Sequence, residues 1–179
     1  MRNSLLLLLS FLMISTVANS QNKPEFEEPL NILVFSKTSG FRHASISSGL
    51  KMLSDNSRNQ NWVITATEDA TLLRDDFLAR FDVAVFLNPT GDAICDTGQE
   101  AFEKFMNKGK GFVGIHAAAD CEYEWPFYGD LVAGYFLTHP PAQKATVIFE
   151  NYDHPAMKPF KGMKTYTTVD EWYSFKENP

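Results

Sequence analysis

The sequence predicts an α/β fold in which a parallel sheet carries helices on both faces. Two observations predict it. Nearly continuous apolar runs, such as Asn31-Ile32-Leu33-Val34-Phe35-Ser36 and Phe81-Asp82-Val83-Ala84-Val85-Phe86-Leu87, mark strands buried on both sides. Segments with helical apolar spacing stand between them, and this strand–helix alternation is the rhythm of βαβ units. A chain of 179 residues is long enough for one domain with a sizeable core.

The elements follow in order. Residues 21–29 are polar with two prolines and read as a leader. The run at residues 31–36 is the first strand, and a loop containing Gly40 follows it. A helix over residues 44–56 places Ile46, Leu50 and Leu53 on one face. Trp62-Val63-Ile64-Thr65-Ala66 is a second strand, residues 75–80 a short helix, and residues 81–87 a third strand stopped by Asn88-Pro89-Thr90-Gly91. Asp96 can cap the next helix, with Gln99 completing a capping-box-like pair. Phe102, Phe105 and Met106 line one face of that helix, and Gly109 ends it. Gly111-Phe112-Val113-Gly114-Ile115-His116 is the fourth strand and reads as buried. Beyond Asp120 the rhythm weakens. A short helix is expected over residues 125–132 and a loop over 135–141. A strand is expected over 145–150, irregular chain over 151–162, and strands over 165–168 and 171–175. No closing strand and helix follow, so a domain truncated at its C-terminus is expected.

Open parallel sheets bind ligands beyond the carboxyl ends of their strands. Five segments can meet there. Gly114-Ile115-His116-Ala117-Ala118-Ala119-Asp120 ends a strand in a tight turn that presents His116, with Asp120 four residues on to orient it. Thr38-Ser39-Gly40-Phe41-Arg42-His43 precedes a helix, whose free N–H groups suit an anion or a sugar oxygen. Asn88 opens a turn that either contributes to the site or is a turn alone. His139 is held among prolines as a second base, a ligand or a structural turn residue. In Asp170-Glu171-Trp172-Tyr173, carboxylates beside rings suit sugar recognition, or simply begin an edge strand. His154, followed by Pro155, reads as a turn residue. There is no Gly-x-Ser-x-Gly elbow, phosphate-binding glycine loop, Cys-x-x-Cys or His-Glu-x-x-His. The histidine spacing matches no short metal motif, so no residue is assigned as a metal ligand, and a divalent ion stays open.

Residues 1–20 combine a basic start, an apolar run over 4–15 and small residues in Ala18-Asn19-Ser20. This is the pattern of a secretory signal peptide cleaved after Ser20, and it implies a secreted or periplasmic protein. The run is too short for a membrane anchor, so no membrane association is expected after cleavage. Cleavage takes only Arg2 among charged residues and moves the net charge from −6 to −7. An acidic chain without a basic cluster disfavours nucleic acid and anionic membranes and suits a neutral ligand such as a small carbohydrate. Self-association into a homo-oligomer stays open. Export would allow Cys95 and Cys121 to form a disulfide, worth about 3.5 kcal/mol for a loop of roughly 26 residues. The alternative is two free thiols.

Together these segments resemble the ThuA-like (trehalose utilisation) family, a relative of the class I glutamine amidotransferase fold. The resemblance rests on Ser39-Gly40-Phe41-Arg42-His43, Val113-Gly114-Ile115-His116, Thr138-His139-Pro140, His154-Pro155 and Asp170-Glu171-Trp172-Tyr173-Ser174-Phe175, in the family's order across residues 30–179. It implies a flavodoxin-like, doubly wound, mainly parallel sheet. The position of the amidotransferase cysteine is His116, which implies the shared fold without glutaminase activity. It also implies a link to disaccharides such as trehalose or 3-keto glycosides, with His116, His139, His43 and Glu171 lining the site.

The leading expectation is an exported, sugar-active enzyme using acid–base chemistry. His116, Glu171, Asp170 and His139 would be its catalytic residues. Ser39, Gly40, His43, Asn88, Asp120, Trp172 and Tyr173 would bind substrate. One alternative is a carbohydrate-binding module with Trp125, Trp172 and Tyr173 as stacking faces. Another is a metal-dependent hydrolase using His43, His116 and His139.

Overall fold

A computed structural model of the chain describes residues 28–177; the expected signal peptide and most of the leader lie outside the described residues. Four parallel strands form the central sheet: β1 (Leu30–Phe35), β2 (Trp62–Thr67), β3 (Val83–Leu87) and β4 (Gly111–Ile115), in the order β2-β1-β3-β4. The order reverses between β1 and β3, which is the switch point of a flavodoxin-like sheet.

Alternation along β1 and β3 sends side chains to both faces. On one face Ile32, Val34, Val85 and Leu87 pack on Ile46 and Leu53 of helix α1 (Ser45–Ser57). On the other, Leu33, Phe35, Ala84 and Phe86 meet a larger cluster. Helices α2 (Asp75–Leu78), α3 (Asp96–Asn107) and α4 (Pro126–Val132) cover that side. Phe102 and Tyr128, both fully buried, are at its centre against Phe86. Gly109 ends α3 as expected: at φ +77° it takes the left-handed conformation and its N–H donates to Met106 O.

Beyond α4 the chain leaves the parallel sheet. Strands β5 (Phe136–Thr138) and β8 (Ser174–Phe175) form one small antiparallel pair, and β6 (Gln143–Ile148) and β7 (Thr165–Asp170) form another. A 3-10 segment, Pro155–Phe160, occupies the expected irregular stretch, with His154 capping it by accepting from Ala156 N. Residues 135–141, expected as loop, contain β5. Residues 171–173 are the link between β7 and β8 rather than part of a strand.

Two other expectations are corrected. β4 is an edge strand in the described sheet, with Val113 exposed, and its apolar character reflects only the partial burial of Phe112 on one face and Ile115 on the other. The capping box does not form: Cys95 precedes the first turn of α3, and the Gln99 amide donates to Glu122 Oε2 (2.7 Å) and Ile94 O (3.2 Å). A buried carboxylate outcompetes the helix terminus for it. Of the two alternatives for the cysteines, the structure shows free thiols: Cys95 is exposed, while Cys121 is buried and its thiol donates to Gly91 O at 3.1 Å.

Candidate functional site

Three strand ends build the site. After β1, residues 37–43 run across the top of the sheet to α1. Thr38 pairs with Thr90, Ser39 N–H donates to Thr90 O (2.8 Å), and Gly40 N–H donates to Thr90 Oγ1 (3.2 Å). These N–H groups are therefore spent on the neighbouring loop. Through them Ser39 and Gly40 brace the turn after β3, which leaves the Ser39 hydroxyl as the group this pair can offer a ligand. Gly91, at φ +70°, makes this contact feasible, because a Cβ there would lie 3.1 Å from Gly40 N.

After β3, Asn88 is buried and sits at φ +50°. Its N–H donates to Ile115 O (3.3 Å) and its amide donates to Ser45 Oγ (2.9 Å), while its Oδ1 is buried without a partner. It is thus more than a turn residue. A buried acceptor left unpaired costs about 1–3 kcal/mol.

After β4, His116 stands at φ +47° and opens a 3-10 turn, His116–Asp120. Left-handed backbone is uncommon for a residue with a side chain, and such strain concentrates at functional sites. Three residues per turn point Asp120 away from His116. Asp120 instead accepts from the Tyr123 hydroxyl at 2.6 Å, and its carbonyl accepts from Gly91 N–H. Glu171 takes the place expected for Asp120: its Oε2 is 3.2 Å from His116 Nε2. The Tyr173 hydroxyl is also 3.2 Å from that nitrogen, and the two rings overlap with centroids 4.4 Å apart.

His43 closes the group. Its ring meets His116 edge-on, with centroids 4.6 Å apart. Burial, then the neighbouring His116, lowers the His43 pKa and favours its neutral form. Burial first, then the charges of Asp120 and Glu171, pushes the Tyr173 phenol up to about 12, so it stays a hydroxyl. His43, His116 and Glu171 each offer one donor atom, and the three atoms lie within 4.8 Å of one another. Glu171, not His139, is therefore the third member of the set considered for a metal.

Two hollows flank the pair formed by His116 and Glu171. One, of about 780 Å³, is lined by Phe41, His43, Ser45, Asn88 and Asp170. The other, of about 490 Å³, mixes polar and apolar groups, with Phe112, Leu131, Val132, Tyr173 and Phe175 beside the pair. Both are in the range of small-molecule sites.

The remaining candidates are placed as follows. Asp170 lines the larger hollow, and its carboxylate accepts from Glu171 N–H. His139 is exposed; it stacks on Tyr173 at 5.8 Å, and its Nδ1 lies 2.8 Å from Pro140 O. Trp172 donates its indole N–H to Gln143 O and fastens the loop to β6. Trp125 is buried, stacks on Tyr128 and donates to Glu103, so it presents no face to a sugar.

Sequence reading missed Glu122. Its carboxylate is buried and accepts from Ala93 N–H (2.7 Å), Ile94 N–H (2.9 Å) and the Gln99 amide (2.7 Å). It stands in Asp120-Cys121-Glu122-Tyr123-Glu124, a run that reads as solvated surface and gives no sign of burial.

Comparison with known proteins agrees with this architecture. The ThuA family model, described as trehalose utilisation, matches residues 31–179, and the chain belongs to that family. A crystal structure described as that of a ThuA-like protein from Bacteroides uniformis superposes with a TM-score of 0.71 at 24% identity, over 83% of this chain. One from Parabacteroides merdae gives 0.66 at 15% identity, over 81%. At these identities the likeness is one of fold. The chain spans 62% of the length of each. No curated protein matches it.

Proposed function

We propose that this member of the ThuA family is an exported enzyme that performs acid–base chemistry on a small carbohydrate at the His43–His116–Glu171 centre. The observation that carries the reading is His116 itself. It is held in a left-handed elbow at a strand's carboxyl end, with the Glu171 carboxylate 3.2 Å from Nε2 and an open hollow on either side. A strained polar residue at that position of this sheet is what a reacting centre requires. Hydroxyl and carboxylate groups around it suit sugar hydroxyls, and the exposed faces near Tyr173 suit a sugar's apolar side. Family membership in trehalose utilisation supports a disaccharide.

A 3-keto glycoside fits this chemistry best. The ketone acidifies the adjacent C–H. The centre takes that proton, the C–H electron pair forms the enolate, and its return expels the glycosidic oxygen on the next carbon. A proton delivered to that oxygen completes the elimination, and no oxidant or reductant is needed.

The test is incubation of the protein with trehalose and a panel of 3-keto disaccharides, followed by NMR. Wild type, His116→Asn (which tolerates the left-handed backbone) and Glu171→Gln run in parallel. Product from wild type alone supports the reading. Sugar resonances broadened without product would make the protein a binding module and overturn it. Export rests on the signal-like residues 1–20; a mature N-terminus at Gln21 in secreted or periplasmic material would support it, and an intact Met1 would refute it.

A further inference from the structure

We infer that His43, His116 and Glu171 form a binding site for one divalent transition-metal ion of the zinc type. The inference takes as its premise that this cleft is the sugar-acting site, and it supplies that site's acid–base group.

The donor set carries the argument. Two imidazoles and one carboxylate, with further positions left for water or substrate, make up a common catalytic zinc environment. The set comes from three separate elements: the loop before α1, the elbow after β4 and the link before β8. Their donor atoms lie within 4.8 Å of one another. Ligands about 2.1 Å from a tetrahedral ion stand roughly 3.4 Å apart, and the His116–Glu171 pair is already at 3.2 Å. Imidazole donors select a transition metal over magnesium or calcium, which prefer sets made wholly of oxygen.

A second observation points to a ligand independently. Asn88 Oδ1 is buried, has no hydrogen-bond partner and belongs to the wall of the same hollow as His43, His116 and Glu171. An acceptor left unpaired at that point calls for a donor that the protein does not supply. An ion held by His43, His116 and Glu171 would carry a water that ionises near neutral pH, and that water would be the group exchanging a proton with the sugar.

The test uses the whole chain, stripped with chelator and titrated with Zn²⁺ and Co²⁺, with Mg²⁺ as comparison. Calorimetry gives affinity, elemental analysis gives stoichiometry, and the visible bands of Co²⁺ report coordination. One equivalent of Zn²⁺ or Co²⁺ is expected, bound at least a hundredfold tighter than Mg²⁺. His43→Ala and Glu171→Gln weaken binding at least tenfold while circular dichroism stays as in wild type, and His154→Ala changes it less than twofold. Affinity equal to that for Mg²⁺, or stoichiometric binding that all three variants retain, overturns the inference. Its failure is separable from failure of the sugar reading. Turnover that persists in chelator removes the metal and keeps the enzyme; a filled site with no product from any sugar keeps the metal and removes the enzyme.

Discussion

Glu122 offers the most demanding test of how this site is held together. Its carboxylate takes two backbone N–H groups, those of Ala93 and Ile94, whose residues are only 3% and 1% exposed. In Glu122→Ala both donors lose their acceptor with no route to water. An unsatisfied buried donor costs about 1–3 kcal/mol. The Gln99 amide is half-buried and turns to solvent more cheaply. Removing a desolvated charge returns part of the loss. The net expectation is about 2–5 kcal/mol of destabilisation, a large fraction of the roughly 5–15 kcal/mol that holds a domain folded. Glu122→Gln keeps one oxygen for both backbone donors. Its new amide faces that of Gln99, which turns over and gives up its 3.2 Å bond to Ile94 O. About 1 kcal/mol is expected for that. Urea unfolding at pH 7, followed by circular dichroism, measures both. Equal losses in the two variants, or a loss under 1 kcal/mol in Glu122→Ala, would refute the reasoning.

The same residue sets a pH dependence. Burial raises the Glu122 pKa above the ordinary carboxyl value of 4.5 despite the hydrogen bonds it accepts from Ala93, Ile94 and Gln99. Between the unfolded and folded values the native state holds the extra proton, so stability falls as pH rises through that window. Relative to Glu122→Gln, wild type therefore loses stability from about pH 4.5 upward and levels off above the folded pKa.

Three further outcomes are expected. Phe102, fully buried among the rings of Phe86, Phe105, Phe112 and Trp125, costs about 3–5 kcal/mol as Phe102→Ala; a loss below 1.5 kcal/mol in urea would contradict its place at the core. Thiol labelling without reductant modifies Cys95 rapidly, aided by a pKa that the Thr97 hydroxyl lowers, and reaches buried Cys121 only after unfolding. If neither thiol reacted in denaturant, the two would be bridged. The Lys110 ammonium, then Asn31 N–H, hold the Asp82 pKa below the ordinary 3.8, and the side chain is 39% exposed. Its contribution, under about 1 kcal/mol after solvent screening, is present above pH 3.8 and disappears as pH falls through the folded value. The gap between wild type and Asp82→Asn closes accordingly, and a gap that widened in acid would reverse the assignment.

What the sequence disclosed follows from which forces are local. Strands β1 and β3, buried on both faces, announce themselves as unbroken apolar runs, and Ile46 and Leu53 mark the inner face of α1 by helical spacing alone. His116 was legible because a strand that ends in glycine and alanines isolates one polar side chain. Local pattern offered Asp120 as its partner, while Glu171 was reached only through the family resemblance and its carboxylate chemistry. Asp120 is near in sequence, but the 3-10 turn directs it elsewhere, whereas Glu171 arrives through two antiparallel hairpins that no local pattern positions. The bracing role of Ser39 and Gly40 was hidden for a related reason. Pairing of Thr38 with Thr90 is a long-range event, and it consumes donors that the loop, read by itself, leaves free. Glu122 and Trp125 show the limit from the other side, since burial of a charge or of an indole among polar neighbours leaves no trace in periodicity.

The site therefore has two halves of different construction. His43, Asn88 and His116 stand on the parallel sheet, and their loops are cross-tied by Gly91 N–H to Asp120 O, Asn88 N–H to Ile115 O and Glu122 to Ala93 and Ile94. Three of the residues in this half, Asn88, His116 and Glu122, hold left-handed backbone, each at a cost of order 1–3 kcal/mol. Such strain persists only where packing over-determines it, which explains why a fully buried carboxylate is spent on bracing two loops. Glu171 belongs to the other half. It hangs between β7 and β8, and the β6–β7 hairpin is largely exposed along its length. Its tie to the sheet runs through its own carboxylate and Tyr173, both directed at His116. Whatever occupies the centre therefore bears on the docking of these hairpins. A bound ion or substrate that draws Glu171 toward His116 and His43 fastens the hairpins to the sheet, so occupancy should protect residues 170–175 from amide exchange while leaving β1 and β3 unchanged. Equal protection throughout the chain would mean that the two halves already act as one.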